Sequence, residues 1–281
     1  MVRPQKHPDG RIPQGCEQIP VELSDVDKLT GIIADSDIVI YCAGSVRGRN
    51  LEDFSVANIK GVKTVLDALE RSGNTAFMLL VSSLAASRPD LSDYARSKFE
   101  GEQLLRQSSL SQWTILRPPA VYGPGDREMM PILKMIRRGL LAYAGPQHQR
   151  LSLLYVHDLV NAISSWLSVP QKCLKETYSI DDGTPGGYDW KAIGEAVNNG
   201  KFRMLKLPRV LLESGARINL ILSGMLGYSP MFTPGKLQEL TQPEWLCDNR
   251  LFSAATGWKP TVNLHQGALQ LFKTRERKLA V

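Results

Sequence analysis

Three stretches, DIVIYCAG (37–44), AFMLLVSS (76–83) and WTILRPPAVYG (113–123), constrain the fold of this chain more than any other feature. The first two are near-continuous apolar runs that end in small residues. A strand with one face in water alternates apolar and polar side chains, whereas an unbroken run fits a parallel strand covered on both faces. The third starts as a strand and breaks at Pro118-Pro119. Between the runs lie VANIKGVKTVLDALERSG (56–73) and residues 93–107, both with helical spacing, the first with Gly73 placed as a C-cap. Parallel neighbours need a crossover, and these helices supply it. The alternation predicts an α/β fold built on a doubly wound parallel sheet.

The same reading extends to both ends. EQIPVEL (17–23) has the alternation of a short strand, and Ser24 stands as N-cap to a helix in SDVDKLTGII. LSLLYVHDLVNAISSWL (151–167) reads as strand then helix, with Asp158 as N-cap and His157 as a strand-end residue without catalytic work. ETYSIDDG (176–183) is a further strand, after which GTPGGYDW opens a region of helices separated by Pro and Gly loops. The expected organisation is a larger α/β domain over 1–182 and a smaller lobe over 183–281, with 118–150 contributing in part to the lobe.

Composition narrows the function. Lys plus Arg number 34 against 28 Asp plus Glu, a net +6, and the basic residues are spread out. No basic run is interleaved with aromatics, so a nucleic-acid surface is not expected. The four cysteines form no C-x-x-C and the four histidines no H-E-x-x-H, so neither a metal site nor a dithiol centre is expected. Reduced thiols and an N-terminus without an apolar leader fit a cytoplasmic protein. VLLESGARINLILSGML carries Glu213, Arg217 and Asn219, so it does not read as a membrane span. It reads as lobe core, as the lining of an apolar pocket, or as an amphipathic helix on a membrane surface.

Tyr94 and Lys98 stand four residues apart in a helical stretch and so share a face. An ammonium close to a phenol favours the phenolate, which would make Tyr94 a general acid/base near neutral pH. The alternative is two polar residues on a wet helix face. The surroundings bear on the choice. Ser82 and Ser83 end a buried strand at its carboxyl end, where open α/β sheets bind ligands, and the Tyr94 helix follows directly. Ala43 and Gly44 end the preceding strand, and small residues there permit close approach of a ligand to the backbone.

The ordered set DIVIYCAG, VANIKGVKTVLDAL, LLVSSLAAS, YARSK, ILRPPAVYGPGD, LLYVHDLVNAI, ETYSIDDG and TGWKP resembles the extended short-chain dehydrogenase/reductases, also called NAD-dependent epimerase/dehydratases. The resemblance implies a Rossmann-like domain that binds NAD or NADP, a small-molecule substrate held against the lobe, and a homodimer formed through the Tyr helix. It implies Tyr94 as catalytic acid/base and Lys98 as its partner and a ligand of the nicotinamide ribose. Ser83 would hydrogen-bond the reacting oxygen, and Asn58 would support Lys98 through water, or else be a plain helix-surface amide. Glu22 and Leu23 would flank adenine, with Glu a departure from the family's Asp. Pro118 and Val121 would touch nicotinamide. Arg3 would meet the adenosine ribose and favour NADP, or else belong to a solvated basic terminus.

Two departures matter. The family's opening strand and G-x-x-G-x-x-G loop are not found, and MVRP matches the end of the family's second strand. The expectation is a chain that starts about thirty residues late, one βαβ unit, through a mis-assigned start; the rival is a degenerate protein that no longer binds a dinucleotide. Leu84-Ala85 replace the acid and base of dehydratases, which argues against dehydration, and Gln238 stands where nucleotide-sugar members carry an Arg. The substrate is then a nucleotide sugar or a less polar hydroxy compound, handled by an oxidoreductase or epimerase. The alternative function is a non-catalytic dinucleotide-binding or structural protein on the same fold.

Overall fold

The computed structural model describes residues 15–279, with side chains as far as Phe272. In chain order the elements are α1 (Val26–Ile33), β1 (Ile38–Tyr41), α2 (Leu51–Ser55), a π-turn (Val56–Lys60) running into α3 (Gly61–Ser72), β2 (Phe77–Val81), α4 (Asp93–Gln107) and β3 (Trp113–Arg117). They continue with β4 (Ala120–Tyr122), α5 (Met130–Arg137), β5 (Leu140–Tyr143), β6 (Arg150–Leu151), β7 (Leu153–Tyr155), α6 (Val156–Ser168) and β8 (Glu176–Ser179). The remainder is α7 (Trp190–Asn198), β9 (Arg203–Lys206), α8 (Arg209–Leu226), α9 (Pro234–Leu240), β10 (Glu244–Trp245), α10 (Arg250–Thr256) and α11 (Leu264–Leu279).

The main sheet has the order β1-β2-β3-β8 and every pair is parallel. Its strands alternate between two cores. Met78 and Leu80 of β2 and Ile115 of β3 face Leu29, Val65 and Leu69 of α1 and α3. Leu79 and Leu116 face the other way, onto Trp166 of α6, Phe252 of α10 and Trp258. The inner strands β2 and β3 are covered on both faces, which is why they read as near-continuous apolar runs, whereas Ile40 of β1 is 37% exposed. The doubly wound expectation holds. Gly73 ends α3 in the left-handed conformation, at φ 66°.

A third core joins Tyr122, Leu133, Leu141 and Leu153 to Trp190, Ile193 and Leu264 from the C-terminal region. Asp158 helps to attach that region, and not as the N-cap that its place in α6 suggests. It is fully buried, accepts from the backbone N–H of Thr261 (3.0 Å) and Val262 (2.8 Å), and receives the Thr261 hydroxyl at 2.7 Å. The carboxylate turns away from its own helix because a second segment offers it three donors.

Two local expectations differ. The helix after residue 24 is capped by Asp25, whose side chain accepts from Lys28 N–H, one residue later than Ser24. Residues 17–23 form no strand; only Pro20 makes an isolated bridge. Pro20 has no N–H to donate to a ladder.

Candidate active site

Helix α4 places the polar residues of the site. Ser92 caps it, its side chain accepting from Ala95 N–H at 3.0 Å. From that cap Tyr94, Lys98 and Glu102 recur every fourth residue and so point from one face toward the sheet. Lys98 and Glu102 are buried, at 7% and 0% exposure, which excludes the wet-face alternative.

Glu102 tolerates burial because it is fully engaged. Its carboxylate accepts from Ser82 Oγ (2.6 Å) and from Arg117 Nε (2.8 Å) and Nη2 (2.6 Å). This ties up Ser82 and leaves Ser83 as the hydroxyl that meets Tyr94. Ser83 accepts from Ala85 N–H at 3.2 Å, so its own hydrogen is free to be given elsewhere. The two serines at the end of β2 therefore play different parts, one bound into the core and the other facing the phenol.

Lys98 Nζ donates to Val81 O at 2.9 Å, and its other two hydrogens have no partner among the described residues. Burial pushes its pKa down from 10.5 to about 8, while the charge of Glu102 and then of Cys42 pulls it back up. Asn58 sits in the π-turn and is 2% exposed, so it is no surface amide. Its Oδ1 accepts from Ser45 N–H (3.0 Å), and its Nδ2 donates to Ser45 O (3.0 Å) and Ser97 Oγ (2.8 Å). The π-turn re-aims its carbonyls: Ala57 O receives the Tyr41 hydroxyl at 2.6 Å, and Asn58 O faces α4, where a Cβ on Gly101 would lie 2.2 Å from it. Gly101 is thus what lets α4 lie against the Asn58 turn.

The surroundings of Tyr94 come from far along the chain. Phe54 meets its ring edge-on at 5.9 Å, and Lys236 Nζ lies 5.6 Å from the ring centroid. Lys236 is paired with Glu239 at 2.8 Å, and Glu239 also receives the Ser92 hydroxyl. Burial raises the Tyr94 pKa above its ordinary value; Ser83 through its hydrogen bond, and then the charge of Lys236, act to lower it, and Glu239 acts to raise it. Lys98 is not among these influences. Tyr94 borders a cleft of about 180 Å³ whose apolar lining includes Val46, Phe54, Leu220 and Met231.

The other expected cofactor residues divide into near and far. A Cβ on Gly44 would stand 3.2 Å from Asn58 Oδ1 and 3.7 Å from Lys98 Nζ, so the bare backbone at the end of β1 lies beside the ammonium. Ala43 packs on the first core. Pro118 is buried and its carbonyl accepts from Leu84 N–H at 2.9 Å; Val121 packs on the core that holds Leu116. Glu22 is exposed just before α1, and Leu23 packs on the first core. Arg3 lies outside the described residues. Reading the sequence missed Glu102, although the spacing 94, 98, 102 signals it, and the approach of Phe54, which no local spacing signals.

Residues 3–180 match the NAD dependent epimerase/dehydratase family. This chain belongs to that family. The ceramide reductase of Caulobacter vibrioides (strain NA1000 / CB15N) is 32% identical over 233 residues, covering 82% of this chain and 71% of the relative. The decarboxylating sterol-4-alpha-carboxylate 3-dehydrogenase of Saccharomyces cerevisiae (strain ATCC 204508 / S288c) is 22% identical over 286 residues, covering 88% and 79%. The solved structure of RMD from Pseudomonas aeruginosa, complexed with NADPH, is alike in fold, with a TM-score of 0.67 at 17% identity over 95% of this chain and 90% of that one. The family is one of enzymes, and its cofactor is a nicotinamide dinucleotide. The site suits the nicotinamide end of such a molecule: a Cβ-free backbone at Gly44 lies next to an ammonium with two uncommitted hydrogens.

Proposed function

We propose that this chain reduces a ketone, or oxidises the corresponding secondary alcohol, on a weakly polar, lipid-like molecule, with Tyr94, Ser83 and Lys98 in the reacting layer. The observation that carries this reading is a half-buried phenol, hydrogen-bonded to Ser83, at the border of a cleft where Val46, Phe54, Leu220 and Met231 stand beside Arg49, Lys236 and Glu239.

When bound, the nicotinamide ring supplies or accepts the hydride. In reduction, Tyr94 gives its phenolic proton to the carbonyl oxygen, and in oxidation it takes that proton back. Burial favours the neutral phenol, so the acid needed for reduction is the resting form at neutral pH. Ser83 donates to the same oxygen and steadies its developing charge. Lys98 turns its two uncommitted hydrogens to the ribose hydroxyls, and Gly44 and Ala43 border the same ligand. Asn58 is a positioning residue, because its bonds to Ser45 and Ser97 join the π-turn to α4. Pro118 and Val121 support the nicotinamide side, and Glu22 and Leu23 the adenine side. Arg3 favours NADP by its charge. The names of the ceramide and sterol relatives support a lipid substrate, and Gln238, exposed where nucleotide-sugar members carry an Arg, argues against a sugar nucleotide. A homodimer in the cytoplasm completes the reading, and sedimentation equilibrium tests its stoichiometry.

The test is a panel of long-chain ketones and of nucleotide sugars, offered to the full chain with NADH or NADPH and followed by absorbance of the reduced nicotinamide. Turnover is expected on the ketones, with Tyr94→Phe slower by roughly 10²–10⁴-fold and dinucleotide binding retained. Turnover confined to nucleotide sugars would overturn the substrate class, and an undiminished Tyr94→Phe rate the chemistry.

A further inference from the structure

Helix α8 turns its apolar side chains the wrong way for a lobe helix. Val210, Leu211, Ile218, Ile221 and Met225 are 73%, 67%, 57%, 63% and 77% exposed. At about 100° per residue these five and Leu222 fall within one arc of about 120°. The inward face is made instead of Leu212, Ala216, Asn219, Leu220 and Ser223. Strand β9, which leads into the helix, is exposed along its whole length and adds Met204 and Leu205. An apolar surface this continuous marks an interface.

Its rim is cationic. Residues 201–228 hold Lys201, Arg203, Lys206, Arg209 and Arg217 against Glu213 alone, five minus one, or +4. Glu213 is engaged by Arg209 at 2.7 Å. Arg203, Lys206 and Arg217 form no ion pair among the described residues. We propose that the outer face of α8 and β9 lies on the surface of a bilayer that contains anionic lipid. Hydrocarbon side chains with unneutralised cations beside them match the acyl boundary and the charged headgroups of such a surface. A second copy of this chain would set one cationic rim against another. Among the described residues no helix is long and apolar enough to cross a membrane, so the helix lies along the surface. The inner side of the same helix reaches the Tyr94 cleft through Leu220, so a lipid leaving the bilayer beside α8 has a short way to the phenol.

The proposal goes beyond the catalytic reading, and its deciding readout is vesicle binding. The full chain is sedimented with extruded vesicles of phosphatidylcholine, with and without phosphatidylglycerol. Pelleting is expected with the anionic vesicles, much less with phosphatidylcholine alone, and less again in high salt. The triple variant Val210→Gln, Ile218→Gln, Met225→Gln is expected to lose about tenfold or more of that binding, with an unchanged circular dichroism spectrum and unchanged turnover of a short water-soluble ketone. The pair Lys206→Glu, Arg217→Glu is expected to lose the preference for anionic vesicles. A wild-type chain that stays in the supernatant, or a triple variant that pellets equally well, overturns the proposal. So does a wild-type dimer that the triple variant dissociates, which would assign the face to a second copy.

Discussion

Helices α4 and α8 sort their side chains in opposite senses. Helix α4 buries Ser97, Lys98 and Glu102 beneath the sheet ends, while α8 holds Ile221 and Met225 in water. Each departs from the ordinary partition of polar and apolar groups. In α4 the departure is compensated in full at Glu102, by Ser82 and Arg117, and in part at Lys98, by Val81 O and the nearby carboxylate. In α8 nothing among the described residues compensates it. A buried charge with partners is a finished local structure that carries chemistry, whereas an uncovered apolar face is a structure completed by something outside it. Where a sequence breaks a physical rule, the presence or absence of compensation separates a site from a surface.

Substitutions sharpen that contrast, and the largest effect belongs to Glu102. Glu102→Ala leaves the Arg117 guanidinium without its carboxylate, and the expected loss is about 3–5 kcal/mol in urea unfolding. Lys98→Met acts the other way on stability while abolishing turnover. The fall of the Lys98 pKa from 10.5 to about 8 corresponds to a penalty of roughly 3 kcal/mol at neutral pH. The unfolded chain holds that proton up to the ordinary value and the folded chain only to about 8. Between those values the unfolded state binds more protons, so wild-type stability rises with pH through this window. The advantage of Lys98→Met in thermal unfolding is therefore expected in full below about pH 8 and to fade toward 10.5. A constant difference across that range would show that Lys98 is not desolvated in solution.

Smaller effects follow at the contact between α4 and the π-turn. Gly101→Ala would place a methyl group 2.2 Å from Asn58 O, and the backbone must part to admit it. The expected cost is about 1–3 kcal/mol, with turnover falling further than stability because Tyr94 and Lys98 ride on the same helix; equal unfolding midpoints for variant and wild type would remove Gly101 from its role. The smallest effect is expected on α8. Met225→Gln should change unfolding stability by no more than about 0.5 kcal/mol, and a loss of several kcal/mol would show that this side chain is packed in the isolated protein.

Much of the core of the site was legible in the chain. The runs at 37–44 and 76–83 are near-continuously apolar, the second because both faces of its strand are covered, and the spacing of Tyr94 and Lys98 needs only helical geometry. Gly73 was readable for a similar reason, since a left-handed C-cap favours glycine. Asp158 was not: its position predicts an N-cap, but its partners come from residues 261–262. The split between Ser82 and Ser83 was legible only in part, because it depends on which of two adjacent hydroxyls Glu102 takes. Phe54 and Lys236 approach Tyr94 from about 40 residues before it and about 140 after it, as their positions in the chain show, and no local pattern carries such a meeting.

The sequence by itself determined the alternation of strands and helices, the sheet type and the helix face on which a phenol and an ammonium align. These follow from periodicity, and periodicity is a property of neighbours along the chain. Only the tertiary structure decided the environment of that pair: burial raises the phenol's pKa, Ser83 and then Lys236 act to lower it, and α8 turns its apolar face outward. Electrostatics and desolvation depend on distance in space, so side chains far apart in sequence set them together once the fold has closed.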